Sequence, residues 1–439
     1  MSEPLLSVEA ARSRILDAIV GPLGAETHTP ELALGRVLAT SVVATTDLPP
    51  WDNSAMDGYA IRAADVVAAA EDAPIRLRVV GEVPAGGVAA MAVELGTAIR
   101  IATGAPLPAG ADAVVPVEVT TPLAADGTAS GPRGRDATGP LPAAVAVHVA
   151  VGEGNAIRRR GEDLRAGGTV LDAGADMTPA AVAIAAGSGA DAVSVHRRPR
   201  IAVLATGDEI RVPGEPLGPA GIPDANGPGL RAMVAAAGAT VIDLGIARDD
   251  LDDVLDRLRR GIAEADAVIV AGGVSVGPYD VVKRAFETVG RVDLWRVAVQ
   301  PGKPFAFGVA PDGGRQVLLF GLPGNPVSGF VTFELFVRPA IRRLAGHRRL
   351  QRDADAGTLT EPVTKAPGRR AFLRVVVERD ADDRPIRDEA GRVRLRLAGG
   401  QGSHVLTALA AADALAIVPE TVDALPAGAP VELLWLDRP

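Results

Sequence analysis

Five polar or glycine-rich segments in the second half of the chain carry residue types that bind phosphate or other oxyanions. They occupy positions 206–209, 248–250, 272–283, 301–304 and 322–328. The first three contain carboxylates, which are hard oxygen ligands suited to Mg²⁺, and Mg²⁺ in turn bridges to phosphates. The glycine turns lead into predicted helices and present backbone N–H groups, while Lys283 and Lys303 add positive charge. These residues predict a site for an anionic ligand and a divalent cation.

The elements that must position these segments form one predicted α/β unit between residues 199 and 346. Its predicted strands are 201–205, 240–246, 267–271, 292–299 and 316–320, and its predicted helices are 229–237, 249–265, 280–289 and 326–344. Alternating strands and helices, with strands apolar on both faces, favour a doubly wound, mostly parallel sheet over an α+β fold of the same elements. Ligands bind outside the carboxyl ends of such strands, so the five segments are expected to share one sheet edge.

The rest of the chain predicts β-rich modules on both sides of this unit. Residues 7–20 are typical of a helix capped by Ser7, and residues 45–150 contain short apolar runs broken by proline and glycine. Residues 120–141 have almost no apolar side chains and are expected to form a mobile loop without a function of its own. The predicted domains are 1–44 with 151–177 as a discontinuous linker domain, 45–150, 178–346, and a small β domain at 347–439.

Composition excludes several other classes of protein. The 439 residues include no cysteine, which removes disulfides, thiolate metal sites, iron–sulfur clusters and a cysteine nucleophile. The net charge of −9, without a basic tail, argues against a nucleic-acid-binding surface. The five histidines include no pair at metal-ligand spacing, so no zinc site is expected. No apolar run approaches membrane length and no signal-peptide pattern opens the chain, so we expect a cytoplasmic protein with no membrane partner.

Each segment also has a purely structural interpretation. The stretch Gly272–Gly277 matches neither the dinucleotide fingerprint nor a Walker A loop, and a tight turn would explain it. The acidic pairs at 208–209 and 249–250 could be a solvated turn and a favourable helix start. Lys303, held between two prolines, is harder to explain structurally, whereas His404 favours a local hydrogen-bonding role. The prediction of a ligand site therefore depends on the collection of segments at one edge.

Strings along nearly the whole chain resemble those of the molybdopterin molybdenumtransferases, the MoeA family, which includes the E domain of gephyrin. They are DNSAMDGYA at 52–60, TGA at 103–105, RRRGED at 158–163, TGDE at 206–209, GGVSVG at 272–277 with Asp280, PGKP at 301–304 and LPGNPVS at 322–328. The resemblance implies a central α/β domain of the molybdopterin-binding type, flanking β-rich N-terminal modules and a small C-terminal β-barrel domain.

The resemblance also implies an activity. Such enzymes take adenylylated molybdopterin and molybdate, hydrolyse the adenylate in a Mg²⁺-dependent step, and release molybdenum cofactor and AMP. The family is dimeric, with a cleft formed by the α/β domain of one subunit and N-terminal segments of the other. The adenylyltransferase of the preceding step is a further expected partner.

Site residues follow from the matching motifs and from the sheet-edge argument. The expected catalytic residues are Asp57, Glu209, Asp280 and Lys303, and the expected metal ligands are Glu209, Asp249 and Asp280. The expected substrate-binding residues are Thr103, Arg158, Asp163, Asp249, Gly273, Ser275, Lys283, Pro323, Pro326 and Ser328. Of these, Asp57, Thr103, Arg158 and Asp163 would reach the cleft from the partner subunit. Water activation by the metal, with Glu209 or Asp280 nearby, is a hypothesis, and no single general base is assigned.

Three departures from the family pattern leave other functions open. Gln300 precedes Pro301 where the family often has lysine, Ala225 stands where it has a hydroxyl residue, and the loop at 120–141 is longer. The first two could indicate a preference for tungstate or a non-catalytic paralogue that carries pterin or acts as a scaffold. Adenylylation of molybdopterin is another alternative, but that enzyme normally lacks the β modules and the string at 52–60.

Overall fold

A computed structural model describes residues 5–134, 139–273 and 281–436. Its N-terminal lobe begins with a helix whose cap agrees with the sequence, because Ala10 N–H donates to Ser7 Oγ at 3.1 Å. The helices of this lobe are α1 (Val8–Asp17) and α2 (Pro179–Gly187). Its strands are β1 (Ala25–His28), β2 (Val42–Val43), β3 (Asn53–Ser54), β4 (Gly58–Ile61), β5 (Ile75–Val83), β6 (Thr97–Ile101), β7 (Ala113–Pro116), β8 (Thr120–Leu123), β9 (Ala144–Val147), β10 (Ile157–Arg158), β11 (Thr169–Leu171) and β12 (Val193–His196).

Pairing within this lobe joins segments that are far apart in sequence. Strands β1, β2 and β3 pair antiparallel with β12, β11 and β10, so residues 25–54 are closed by residues 157–196. Between these two segments the chain forms a six-stranded sheet in the order β7-β4-β6-β5-β9-β8. This pairing accords with a discontinuous lobe interrupted by a β module, while the domain boundaries themselves stay predictions.

The prediction of a loop at 120–141 is wrong for the first part of that segment. Thr120–Leu123 is strand β8 and pairs antiparallel with β9, and the turn after it is closed by Ala124 N–H donating to Thr128 O at 2.8 Å. Arg133 forms an ion pair with Glu71. Backbone pairing to an existing sheet edge needs few apolar side chains, which explains why the composition of this segment did not predict a strand.

The α/β unit consists of a sheet between two helical layers. Its strands are β13 (Arg200–Thr206), β14 (Ile210–Arg211), β15 (Ile222–Pro223), β16 (Thr240–Ala247), β17 (Ala267–Ala271), β18 (Arg291–Arg296), β19 (Val299–Gln300), β20 (Pro304–Asp312) and β21 (Arg315–Leu322). Its helices are α3 (Asn226–Ala236), α4 (Leu251–Glu264), α5 (Val281–Val289), α6 (Pro326–Thr332) and α7 (Arg338–Leu344), with a π-helical turn at Phe333–Val337 between the last two.

The main sheet has the order β16-β13-β17-β21-β20-β18, with its first three pairings parallel and its last two antiparallel. Alternate residues of β13 face opposite layers, because Ile201 and Val203 pack with α1, α3 and the 326–344 helices, whereas Ala202 and Leu204 pack with α4 and α5. The predicted doubly wound, mostly parallel fold is confirmed.

The C-terminal domain is a closed barrel. It contains β22 (Ala354–Leu359), β23 (Val363–Thr364), β24 (Arg370–Val377), β25 (Val393–Leu397), α8 (Leu406–Ala410), β26 (Ala414–Val418), β27 (Ala424–Leu425) and β28 (Pro430–Trp435). Five strands close in the cycle β24-β25-β22-β28-β26 through the additional β24–β26 pairing. The expected small C-terminal β-barrel is confirmed. Within the residues that the structure describes, no helix is long and apolar enough to cross a bilayer.

One strand prediction in this half is wrong, and two of the longer strands were not predicted. The single expected strand at 292–299 is two pieces, of which β19 leaves the α/β sheet and pairs in parallel with β24 of the barrel. Strand β20 was not expected, because its sequence is interrupted by glycine and bounded by prolines at both ends. Strand β22 was also missed, since alanine, glycine and aspartate dominate its first four residues.

Candidate functional site

A cleft of about 1120 Å³ opens at the carboxyl edge of the parallel strands. Its lining comes from the turns after β13, β16, β17 and β21, from the start of α5, and from the C-terminal domain. The lining includes Thr206, Gly207, Glu209, Asp224, Asn226, Asp249, Asp250, Gly272, Gly273, Arg284, Gly324, Asn325, Pro326, His404 and Leu406. The structure therefore brings together four of the expected site residues: Glu209, Asp249, Gly273 and Pro326.

Two acidic turns at this edge hold each other in place. Asp249 N–H donates to Asp208 Oδ1 at 3.2 Å, and Asp208 N–H donates to Asp249 Oδ2 at 3.5 Å. Asp250 caps α4 by accepting from the N–H groups of Asp252 and Asp253, both at 3.1 Å. Asp250 thus acts as a helix cap, whereas the exposed carboxylate of Glu209 remains open to the cleft.

The glycine pair after β17 lets the backbone turn tightly at the cleft wall. Gly273 has a φ of +61°, and a Cβ atom there would meet Val282 Cγ2 at 2.5 Å. Gly272 has a φ of +102°, and its Cβ would lie 2.7 Å from Thr206 O. No other residue type fits these two positions without displacing a neighbour, so this turn exposes backbone rather than side chains to the cleft.

A further acidic residue of the cleft lining, Asp224, lies just before helix α3 and was not predicted as a site residue. Buried Asp224 accepts from Gly227 N–H at 2.8 Å, and Asn226 Nδ2 donates to Gly324 O at 2.7 Å. The first bond caps the helix although Ala225 has no hydroxyl to do so, and the second ties α3 to the turn before α6. The Asp-x-x-Gly spacing at a helix start was the signal that could have identified Asp224.

The Pro301–Pro304 turn lies at the same sheet edge but outside the cleft lining. Half-buried Lys303 accepts from Val297 N–H through its backbone carbonyl at 3.0 Å. Gln300 Oε1 accepts from Ala366 N–H at 3.3 Å, so the residue that replaces the family's lysine is anchored to the C-terminal domain. Pro323 and Ser328 are both buried, and Ser328 O accepts from the Thr332 hydroxyl at 2.8 Å.

The structure distinguishes the two cations at the start of α5. Lys283 lies 3.9 Å from Glu287 on its own helix and is not part of the lining, whereas Arg284 is. Arg284 could not be predicted from the sequence, because both positions follow the same turn and only the rotation of the helix decides which side chain faces the cleft.

Four expected site residues lie exposed on the N-terminal lobe. Asp57 Oδ1 accepts from Thr103 N–H at 2.7 Å and from the Thr103 hydroxyl at 2.9 Å. Arg158 lies in β10, and Asp163 N–H donates to Leu48 O at 3.0 Å. None of these four belongs to the cleft lining that the structure describes in the same chain.

A neighbouring carboxylate orients this part of the lobe. Asp52 accepts from Arg160 N–H at 2.8 Å and from the Arg159 guanidinium at 2.8 Å. The Arg160 N–H and then the Arg159 side chain hold the pKa of Asp52 below its usual range, so the carboxylate stays ionised. The motif at 158–163 is therefore bound to the motif at 52–60 by charge-assisted hydrogen bonds.

Two of the three expected Mg²⁺ ligands lie in the described cleft. Glu209 and Asp249 line the same cleft, while Asp280 and also Ser275 lie outside the described residues. Over the described ranges, no group of three histidine or carboxylate side chains is arranged to hold a metal ion. Mg²⁺ is commonly held by one or two carboxylates together with substrate phosphates, so the oxygen donors of Glu209 and Asp249 fit an ion completed by the substrate.

The doubly wound sheet with a cleft at the carboxyl ends of its strands defines an α/β ligand-binding domain within a larger chain. Residues 202–343 match the probable molybdopterin binding domain, residues 6–189 the MoeA N-terminal region (domain I and II), and residues 356–436 the MoeA C-terminal region (domain IV). The chain belongs to the MoeA family of molybdopterin molybdenumtransferases, and the resemblance stated from its motifs is confirmed.

Similar proteins agree over almost the full length. The chain is 39% identical to molybdopterin molybdenumtransferase 2 of Mycobacterium tuberculosis, over 91% of this chain and 92% of that protein. It is 33% identical to the molybdopterin molybdenumtransferase of Haemophilus influenzae, over 98% of both chains. The crystal structure of the molybdopterin biosynthesis moeA protein from Pyrococcus horikoshii OT3 is similar with a TM-score of 0.76 and 28% identity, covering 98% of this chain and all (100%) of that one.

Proposed function

We propose that this protein inserts molybdenum from molybdate into adenylylated molybdopterin, with Mg²⁺-dependent release of AMP. Membership of the molybdenumtransferase family supports molybdenum insertion in molybdenum cofactor biosynthesis. The observation that carries the finer proposal is the cleft itself, where Glu209 and Asp249 lie beside the glycine turn at 272–273 and the start of α6. Carboxylates next to exposed N–H groups suit a phosphate accompanied by a divalent cation.

The chain's own residues would act on the adenylate in separate ways. The Gly273 N–H binds a phosphate oxygen, since the Gly272 N–H already donates to Leu322 O at 3.1 Å, and Arg284 neutralises the phosphate charge from the start of α5. Glu209 and Asp249 would hold Mg²⁺, which supplies charge stabilisation for the phosphate during hydrolysis. Glu209, which is exposed at the cleft, would also help to orient the attacking water, and no single general base is assigned. Lys303 attracts molybdate at the neighbouring turn.

The proposal includes a homodimer that completes the cleft. Asp57, Thr103, Arg158 and Asp163 are exposed, and they are absent from the described cleft lining of their own chain. A partner subunit that presents these four residues would add two carboxylates and a cation to the site. The adenylyltransferase of the preceding step would deliver the substrate.

A tungstate-preferring or non-catalytic protein is the second candidate, and one observation favours it. Gln300 is neutral where the family often has lysine, and its amide is occupied by Ala366. The other departure carries less weight, because Asp224 supplies the helix cap that a hydroxyl at position 225 would give. Repeating the assay below with tungstate in place of molybdate separates the two candidates.

The test is AMP release from adenylylated molybdopterin with Mg²⁺, in the presence and absence of molybdate. Wild type is compared with Glu209→Ala and with Glu215→Ala, an exposed carboxylate outside the lining that serves as the matched control. We expect molybdate-dependent release in wild type and in Glu215→Ala, and a loss of about 100-fold or more in Glu209→Ala. Pterin binding without AMP release under either oxyanion would refute the enzymatic proposal and support a carrier.

A further inference from the structure

We propose that His404, which the C-terminal barrel domain contributes to the cleft, contacts the phosphate of the adenylate. The inference rests on the proposed function and names a substrate-binding residue in that same site. His404 is exposed and lines the cleft together with Gly324, Asn325 and Pro326. Within the described residues, its imidazole has no hydrogen-bond partner in the chain, so its N–H groups are available to a ligand.

A buried arginine shapes the loop that carries His404. Arg374 in β24 is 1% exposed and no carboxylate among the described residues pairs with it. Its guanidinium instead donates to Gly400 O at 3.3 Å and to Gly402 O at 3.2 Å, and burial lowers its pKa. Burying a guanidinium without a counter-ion is destabilising. The carbonyl groups of Gly400 and Gly402 partly compensate for this at the point where the loop bends toward the cleft.

A glutamine clamps the same loop from the other side. Gln401 Oε1 accepts from Arg374 N–H at 2.9 Å, and Gln401 Nε2 donates to Arg374 O and to Gly399 O, both at 3.0 Å. The side chain and backbone of Arg374 thus hold residues 399–402 reciprocally. The loop is fixed to the barrel immediately before the histidine.

The loop is also fixed to the α/β domain. Val327 N–H, in the first turn of α6, donates to Ser403 O at 3.2 Å. The residue next to His404 is therefore attached to the helix start that forms one wall of the cleft. With anchors at 401 and 403, the backbone that carries His404 is held by two domains at once, which limits the positions that its side chain can take at the cleft.

The chemistry of this wall favours phosphate. An imidazole N–H donates a charge-assisted hydrogen bond to a phosphate oxygen, and Arg284 in the same cleft lining adds positive charge for that group. The nucleoside part of the ligand offers no negative charge for this donor. We therefore assign to His404 the phosphate and not the nucleoside.

The test compares binding of AMP and of adenosine, each with Mg²⁺, by calorimetry. For His404→Ala we expect the AMP affinity to fall about tenfold, the loss expected for one charge-assisted hydrogen bond, with the adenosine affinity unchanged. His404→Gln, which keeps an N–H donor, should recover part of the loss. His28→Ala, a histidine of β1 in the N-terminal lobe, is the matched control and should bind as wild type.

Positioning by Gln401 is tested with a double-mutant cycle. Gln401→Leu should weaken AMP binding in the wild-type background and have no further effect in the His404→Ala background, with thermal unfolding checking that each variant is folded. Additive losses would show that Gln401 does not act through His404.

The outcomes of the two proposals are separable. Unchanged AMP affinity in His404→Ala, equal losses for AMP and adenosine, or a wild type that does not bind AMP would each overturn the histidine assignment. A wild type that binds AMP through His404 but releases none from adenylylated molybdopterin would leave that assignment standing and refute the proposed function.

Discussion

The substitution Gly273→Ala tests whether the backbone of the turn after β17 is as constrained as the structure indicates. Gly273 adopts a φ of +61°, where a residue with a Cβ atom costs about 1–2 kcal/mol. The new methyl group would also lie 2.5 Å from Val282 Cγ2. Val282 is only 1% exposed, so it cannot simply rotate into solvent, and such overpacking costs about 1–3 kcal/mol. The expected loss in free energy of unfolding is about 2–5 kcal/mol.

A matched glycine separates the two contributions. Gly96 has nearly the same φ, +67°, but a Cβ atom there would have open space around it. Gly96→Ala should therefore lose only the backbone contribution of about 1–2 kcal/mol. Urea unfolding followed by circular dichroism gives both values, and similar slopes in urea are needed before they are compared.

Two results would refute this reasoning. The first is an equal loss of stability in Gly273→Ala and Gly96→Ala, which would mean that Val282 yields to the added methyl group. The second comes from Val282→Ala, which removes the contacting Cγ2 atom. If Gly273→Ala is as damaging in that background as in wild type, the contact does not cause the loss. AMP release should fall in Gly273→Ala and be retained in Gly96→Ala.

Three other predictions address the site and the barrel. Asp250→Ala removes two hydrogen bonds to the start of α4 and should cost about 1 kcal/mol in urea unfolding, with a smaller loss in Asp250→Asn. The Thr358 hydroxyl, together with the N–H groups of Arg392 and Ala390, lowers the pKa of Asp388 from 3.8 to about 2. The stability that this carboxylate contributes is present above pH 3.8 and is lost as the pH falls toward 2, so the free energy of unfolding of Asp388→Asn should depend less on pH over that window. Mixing inactive Asp57→Ala and Glu209→Ala subunits should restore about a quarter of wild-type AMP release. Half of the dimers are then mixed, and one of the two clefts in each mixed dimer has both residues intact. No recovery would contradict a shared cleft.

Much of the α/β unit follows from local rules in the sequence. The β-branched and alanine-rich strand at 201–205 is followed by turns and amphipathic helices in regular alternation, and the strand order then places the turns at one edge. The cap at Ser7 is equally local, because it needs only the residues that follow it. Within such a unit, a turn after a parallel strand is enough to locate a candidate site.

The parts that could not be predicted depend on contacts between distant segments. His404 reaches the cleft only because the barrel is placed against α6, and nothing near position 404 encodes that placement. Strand β20 forms because β21 offers it an edge, and β8 forms because β9 does. The choice of Arg284 over Lys283 depends on the rotation of one helix, which a one-residue difference in its start would change.

The pairing of β19 with the barrel places a constraint on chain length. Between β18 and β20 the chain leaves one sheet, adds Val299 and Gln300 to the edge of β24, and returns through the Pro301–Pro304 turn. Side chains alternate along a strand, so the loss or gain of one residue here would turn the Gln300 side chain to the opposite face of the barrel sheet and shift Lys303 along its path. Sequence drift in this segment is therefore expected to proceed by substitution, while insertions and deletions are selected against even where the individual side chains are replaceable.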